Sequence, residues 1–171
     1  MSLRHWLAEL HRRDALLASV GWLHVGLFFV MALVAPFDER VVMGLNPWIK
    51  PMKFVASIGI YLWTVAWLMA CVPGARAAKA AVRWSIALAM AIEMLGIALQ
   101  AGRGTTSHSN VATPFDGAIF QTMGILIAVN TLAAAGLFVM FLRRLPVAPA
   151  FAWGIRLGTF VFLLGSVEGG S

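Results

Sequence analysis

The sequence predicts an all-α fold, a polytopic transmembrane helix bundle of about five spans. Residues 1–171 form one integral membrane domain in this reading. Three observations predict it. Hydrophobic residues make up 61% of the chain and charged ones 12%, against roughly 45–50% and about 25% in soluble domains. The apolar residues fall into blocks of about 20, separated by short polar stretches. The basic residues stand singly or in pairs at the ends of those blocks, where a span meets lipid headgroups. The net charge of +6 therefore reads as membrane topology, with the bilayer as partner, and not as nucleic-acid affinity.

Residues 2–14 predict an interfacial helix. Leu3, Trp6, Leu7 and Leu10 recur at helical spacing, while Arg4, His5, Glu9, Arg12 and Arg13 fall largely elsewhere. The first span covers residues 15–35. It is longer than the roughly 7–15 residues of a signal-peptide core, and Pro36 after Ala35 makes a poor cleavage site, so it reads as a retained span. The stretch PFDERVVMGLNPWIKP follows as a loop. Asn46-Pro47 favours a turn there, and Pro51 suits the first turn of a second span at 52–72. Trp48 belongs at headgroup level. Trp63 and Trp67, one helical turn apart, form an aromatic stripe best used for packing.

PGARAAKAAVR is a short basic loop before a third span at 82–101. The fourth span covers 117–142 and ends at Arg143-Arg144; the fifth covers 147–167 and carries Arg156 within it. Cys71 is the sole cysteine, which excludes an intrachain disulfide and a cysteine metal cluster; it reads as a small buried filler. His5 and His11 have no partner cluster, and no metal site is expected.

Orientation follows from the basic residues. Arg4, Arg12, Arg13, Arg76, Lys79, Arg83, Arg143 and Arg144 fall on one side, and Arg40, Lys50, Lys53 and Arg103 on the other. The positive-inside rule then places the N-terminus in the cytoplasm. The NPWIKP and SHSN loops share the outer face.

The stretch from Glu93 to Asp116, EMLGIALQAGRGTTSHSNVATPFD, concentrates the chemistry. At about 1.5 Å of rise per residue, Glu93, Arg156, His24 and Asn130 all come within one or two turns of the midplane. A lone charge there costs at least about 2.5–3.5 kcal/mol. Glu93 and Arg156 are accordingly expected either to pair, as a lock between helices, or to line a wet cavity where Glu93 titrates. His24 fits helix packing better than a ligand role. Glu93 and Gln100 are two turns apart on one helix face. Gly96 on that side admits close approach, and a polar track from mid-membrane to Arg103 and the outer mouth is the expectation.

GRGTTSHSN is too polar for lipid and too rich in Gly, Ser and Thr for a regular helix. His108 and Asn110 within it suit catalysis, ligand binding or plain loop capping. Asp116 suits a cap on the fourth span. Lys50 and Lys53 suit headgroup phosphates, or an anion shared with Arg103. Gly102 and Gly104 make no nucleotide-binding glycine motif.

NPWIKPMKF, QAGRGTTSHSN and TPFD together resemble a family of uncharacterised bacterial multi-pass membrane proteins. That family carries NPW-x-KP-x-KF at the head of its second helix and QA-x-RG-x-x-SH-x-N in a later loop. The match spans residues 46–130. It implies a membrane bundle that continues past residue 171, so that the chain is an N-terminal portion; it implies no activity.

Three functions compete. The first is transport or sensing of a proton or small polar solute along Glu93, Gln100, Arg103, His108 and Asn110, with Arg156 tuning Glu93. The second is a membrane enzyme or redox protein using His108, supported by Asp38, Asp116 and Asn110. Its b-type haem form would need His24 and His108 as axial ligands, although they sit at different depths. The third is a structural accessory subunit, or a homo-oligomer, packing through Gly124, Ala128 and Ala135.

Overall fold

A computed structural model describes residues 3–143 and 145–168. These form six α-helices: α1 (Leu3–Arg13), α2 (Ala15–Val34), α3 (Ile49–Met69), α4 (Arg76–Gly102), α5 (Pro114–Leu142) and α6 (Pro149–Glu168). A single 3-10 turn, Ala35–Phe37, extends α2. Five segments, beginning at Ala15, Ile49, Arg76, Pro114 and Pro149, are long and apolar enough to cross a membrane. The surface agrees with that reading. Leu33, Leu95 and Leu132 are 71%, 68% and 72% exposed, an apolar belt that lipid can cover and water cannot.

The helix ends follow from local sequence. Asp14 caps α2 by accepting the Leu17 N–H at 3.1 Å. The third span begins at Arg76 and not at 82, because RAAKAAVR is built of strong helix formers. Gly74 and Ala75, both at positive φ, end the loop before it. The second span starts at Ile49 and ends at Met69, short of the expected 72, with Pro51 in its first turn. The fourth starts at Pro114, and its cap is Thr113, whose Oγ1 accepts the Asp116 N–H at 3.1 Å. Asp116 is thus the third helical residue and not the cap, which corrects the sequence expectation. The fifth starts at Pro149, where the proline's missing N–H costs nothing.

Helices α2 and α3 pack as one pair and α4 and α5 as another, with α4 joining the pairs and α6 lying chiefly against α5. Gly21 allows the first pairing, since a Cβ there would overlap the Trp63 indole. At Gly96 the approach of Met123 Sδ, 3.3 Å from the position of a Cβ, allows the second. Leu62, Ile86, Met94 and Phe141 fill the centre. Helix α1 folds back on α3: Trp6 stands 5.8 Å from Trp63 and 6.4 Å from Trp67. Arg13 lies 4.0 Å over the Trp67 ring. The two tryptophans therefore pack, as their spacing predicts.

At the opposite end the 35–48 and 103–113 loops meet. Arg40 donates to the Gly102 carbonyl at 2.9 Å, and Lys50 Nζ lies 3.2 Å from His108 Nδ1. Trp48 is tied into this end by donating to Asp38 Oδ2 at 2.8 Å.

Candidate functional site

Helix α4 packs against both α3 and α5, and these two leave a gap between themselves. Their facing residues recur at helical spacing. Phe54, Ser57, Ile58 and Tyr61 come from α3, Met90 and Glu93 from α4. Phe120, Met123, Gly124, Ile127, Asn130 and Thr131 come from α5. Phe162 and Ser166 of α6 close one end, and His108 and Ser109 of the loop close the other. The cavity, open on one flank, measures about 830 Å³, within the roughly 300–1,000 Å³ of small-molecule sites.

Glu93 is the charged group on its wall. It is 1% exposed, and among the described residues no hydrogen bond or ion pair reaches it. Its Oε2 is enclosed without a partner. Buried polar atoms are nearly always paired, so an orphaned carboxyl oxygen needs an explanation. Farther along the wall Tyr61 donates to Asn130 Oδ1 at 3.1 Å, and its ring stacks on Phe162 at 5.2 Å and 11°. Asn130 is 5% exposed, and its Oδ1 is engaged by that bond.

At the loop end His108 Nδ1 faces both Lys50 Nζ, at 3.2 Å, and Ser107 Oγ, at 2.9 Å. Accepting from the ammonium requires Nδ1 to be unprotonated. Burial, and then the Lys50 charge, hold the imidazole below its ordinary pKa.

Gln100, Arg103 and Asp116 form a separate cluster. Gln100 is 0% exposed and donates to Asp116 Oδ1 at 2.9 Å. Arg103 donates to both Gln100 Oε1 and Asp116 Oδ1. Thr113 Oγ1 completes it, donating to Asp116 Oδ2 at 2.6 Å. None of these side chains lines the cavity. The expected continuous polar track is therefore two structures: a cavity running from Glu93 to His108, and a latch joining the end of α4 to the start of α5. The first turn of α5 lies over Gln100 and seals it.

Arg156 does not meet Glu93. Its Nε donates to the Phe141 carbonyl at 2.8 Å and its Nη2 to that of Arg143 at 3.1 Å. It satisfies carbonyls that the end of α5 leaves free, and no ion pair joins it to Glu93 among the described residues. It stands instead beside a hollow of about 580 Å³ under the α5–α6 loop.

His24 is 1% exposed; its Nδ1 bonds the Val20 carbonyl at 2.8 Å, and its Nε2 is enclosed without a partner. It does not line the cavity that His108 lines, so the two histidines are not arranged as a haem pair. Asn110 organises its own loop, donating to Thr105 Oγ1 at 2.8 Å and to the Thr106 carbonyl at 3.1 Å. Asp38, the expected support for His108, is engaged by Arg40 and Trp48. The Arg40 guanidinium, foremost, holds its carboxyl well below the usual range. Lys53 is exposed and lies off the cavity. Among the described residues no three His, Cys, Asp or Glu side chains gather where an ion could be held.

Tyr61 and Ser57 are among the cavity residues that sequence reasoning missed. The signal was present: Tyr61 is the sole tyrosine, and it lies on the face of a span that also carries Ser57.

No protein-family model matches the chain, no curated protein is similar to it, and no solved structure matches it.

Proposed function

We propose that the chain transports or senses a proton or a small polar solute, with Glu93 as the group that takes up and releases charge. The observation that carries this reading is the Glu93 carboxyl itself, buried in a span without a counter-ion and set on the wall of a sizeable cavity. At that depth a lone charge is costly by at least about 2.5–3.5 kcal/mol, so the carboxyl holds either a proton or a cation. The enzyme reading draws less support, because Asp38, Asp116 and Asn110 are all committed to partners other than His108.

The setting belongs to the same proposal: a bacterial inner membrane, with the N-terminus in the cytoplasm and the His108 loop outside. Kinship with the NPW-x-KP-x-KF and QA-x-RG-x-x-SH-x-N family is also proposed. Lys50 of the first motif and His108 of the second meet in space, which suits motifs that act together.

The test is proton flux in proteoliposomes carrying a trapped pH-sensitive dye. The wild-type chain is expected to collapse an imposed pH gradient, or to do so when solute is supplied. Glu93→Gln is expected to abolish the response while keeping the wild-type helix content and elution volume. A folded Glu93→Gln protein with undiminished flux would sink the proposal.

A further inference from the structure

The composition of the cavity narrows what enters it. This step rests on Glu93 being the site's charged group, as proposed above. We propose that the solute is a hydrophobic organic monocation, which binds in the cavity with Glu93 as its counter-ion and the Phe120 ring as its aromatic partner, in exchange for the Glu93 proton.

Charge comes first. Among the described residues Glu93 is the only acidic side chain on the wall, and no lysine or arginine lines it. An anion would meet a like charge once the carboxyl ionises, and a neutral solute would give the ionised carboxyl no counter-ion. A cation is the solute that can take the proton's place. Arg156 is held by carbonyls of α5, and the Lys50 ammonium stands on His108 at the loop end. Among the described residues the other titratable groups facing the cavity are Tyr61 from α3 and His108 from the loop. Helix α2, which also touches α4, carries His24 outside the lining.

Size and ligand chemistry come next. A cavity of about 830 Å³ far exceeds what a bare ion needs. An inorganic cation also wants about six or more oxygen ligands, whereas Asn130 Oδ1 is already taken by Tyr61. Aromatic rings suit an organic cation. Phe54 and Tyr61 are occupied by His108 and Phe162, but Phe120 engages no other ring among the described residues. It is half-buried and lines the cavity.

The route follows from exposure. Ser57, Gly124 and Phe162 line the cavity and are also exposed on the flank of the bundle. A cation dissolved in the lipid can enter there without passing Lys50. One proton leaves the carboxyl for water as one monocation arrives, so the charge of the site is conserved.

Titration calorimetry of the full chain in detergent with tetraphenylphosphonium tests this, run at several pH values in two buffers of different ionisation heat. One cation is expected to bind with release of one proton at low pH. Affinity should rise about tenfold per pH unit until Glu93 is ionised, then level off. Phe120→Leu should weaken binding about three- to tenfold and leave proton release intact. Glu93→Gln should remove both the binding and its pH dependence; if that variant does not fold, the wild-type proton count and Phe120→Leu decide. Absent binding, or binding without proton release, overturns the inference. An infrared carboxyl band that still titrates in that preparation leaves the proton reading standing, and its absence removes both.

Discussion

Glu93 and Asp116 show how two carboxyls on neighbouring helices come to different uses. Asp116 is surrounded by donors from Thr113, Gln100 and Arg103, so every lone pair that matters is used and the group is structural. Removing it leaves the Gln100 Nε2 without its acceptor and takes one of two acceptors from Arg103 in a mostly buried cluster. Asp116→Ala is expected to destabilise the fold by about 1–3 kcal/mol, discounted for the partial exposure of Arg103. Thermal unfolding in detergent measures it, with exposed Lys53→Ala as a control expected within about 0.5 kcal/mol of wild type.

His108 adds a pH dependence of determinate sign. Burial and Lys50 lower its pKa in the fold from the ordinary 6.5, so the neutral ring is the folded form. The stability it contributes is fully present above about 6.5. It is lost as pH falls through the lower folded value, when protonation of the ring breaks the bond from Lys50. Melting temperatures of wild type and His108→Gln should accordingly converge on acidification; curves that stay parallel would show that the imidazole does not titrate in the loop.

At the scale of the helix, the five long apolar helices and the amphipathic α1 were legible because lipid imposes long apolar runs and amphipathic edges write themselves into the spacing. Contacts across helices were not. Spacing puts Glu93 and Gln100 on one face of α4, but it cannot say that the first turn of α5 covers only the upper of the two. Nor can it say that Arg156, at the right depth for Glu93, turns to the carbonyls of α5 instead. Tyr61 was overlooked because an aromatic in a span ordinarily packs, and its hydroxyl gains meaning only beside Asn130. The α2–α3 contact gives a prediction at this scale. Gly21→Ala forces a methyl into the Trp63 indole, which is expected to cost about 1–3 kcal/mol as overpacking. Unchanged melting would mean that Trp63 can swing aside.

The whole molecule is a bundle latched at one end, with the Glu93 cavity set into its flank. The latch and the Arg40–Gly102 bond brace the loops over the site, while the gap between α3 and α5 leaves room beneath. Cys71, sole of its kind and half-buried at the N-terminal end, reports orientation. A membrane-impermeant maleimide should fail to label it in intact cells and label it after permeabilisation. Labelling in intact cells would invert the topology and place the cavity's His108 end in the cytoplasm.

Every functional statement above depends on the Glu93 carboxyl exchanging protons within the folded bundle. Difference infrared spectroscopy of the purified chain across pH measures that directly. The account predicts a protonated-carboxyl band that disappears as pH rises and is missing from Glu93→Gln. A spectrum with no such band, or with a band that survives in Glu93→Gln, would contradict it.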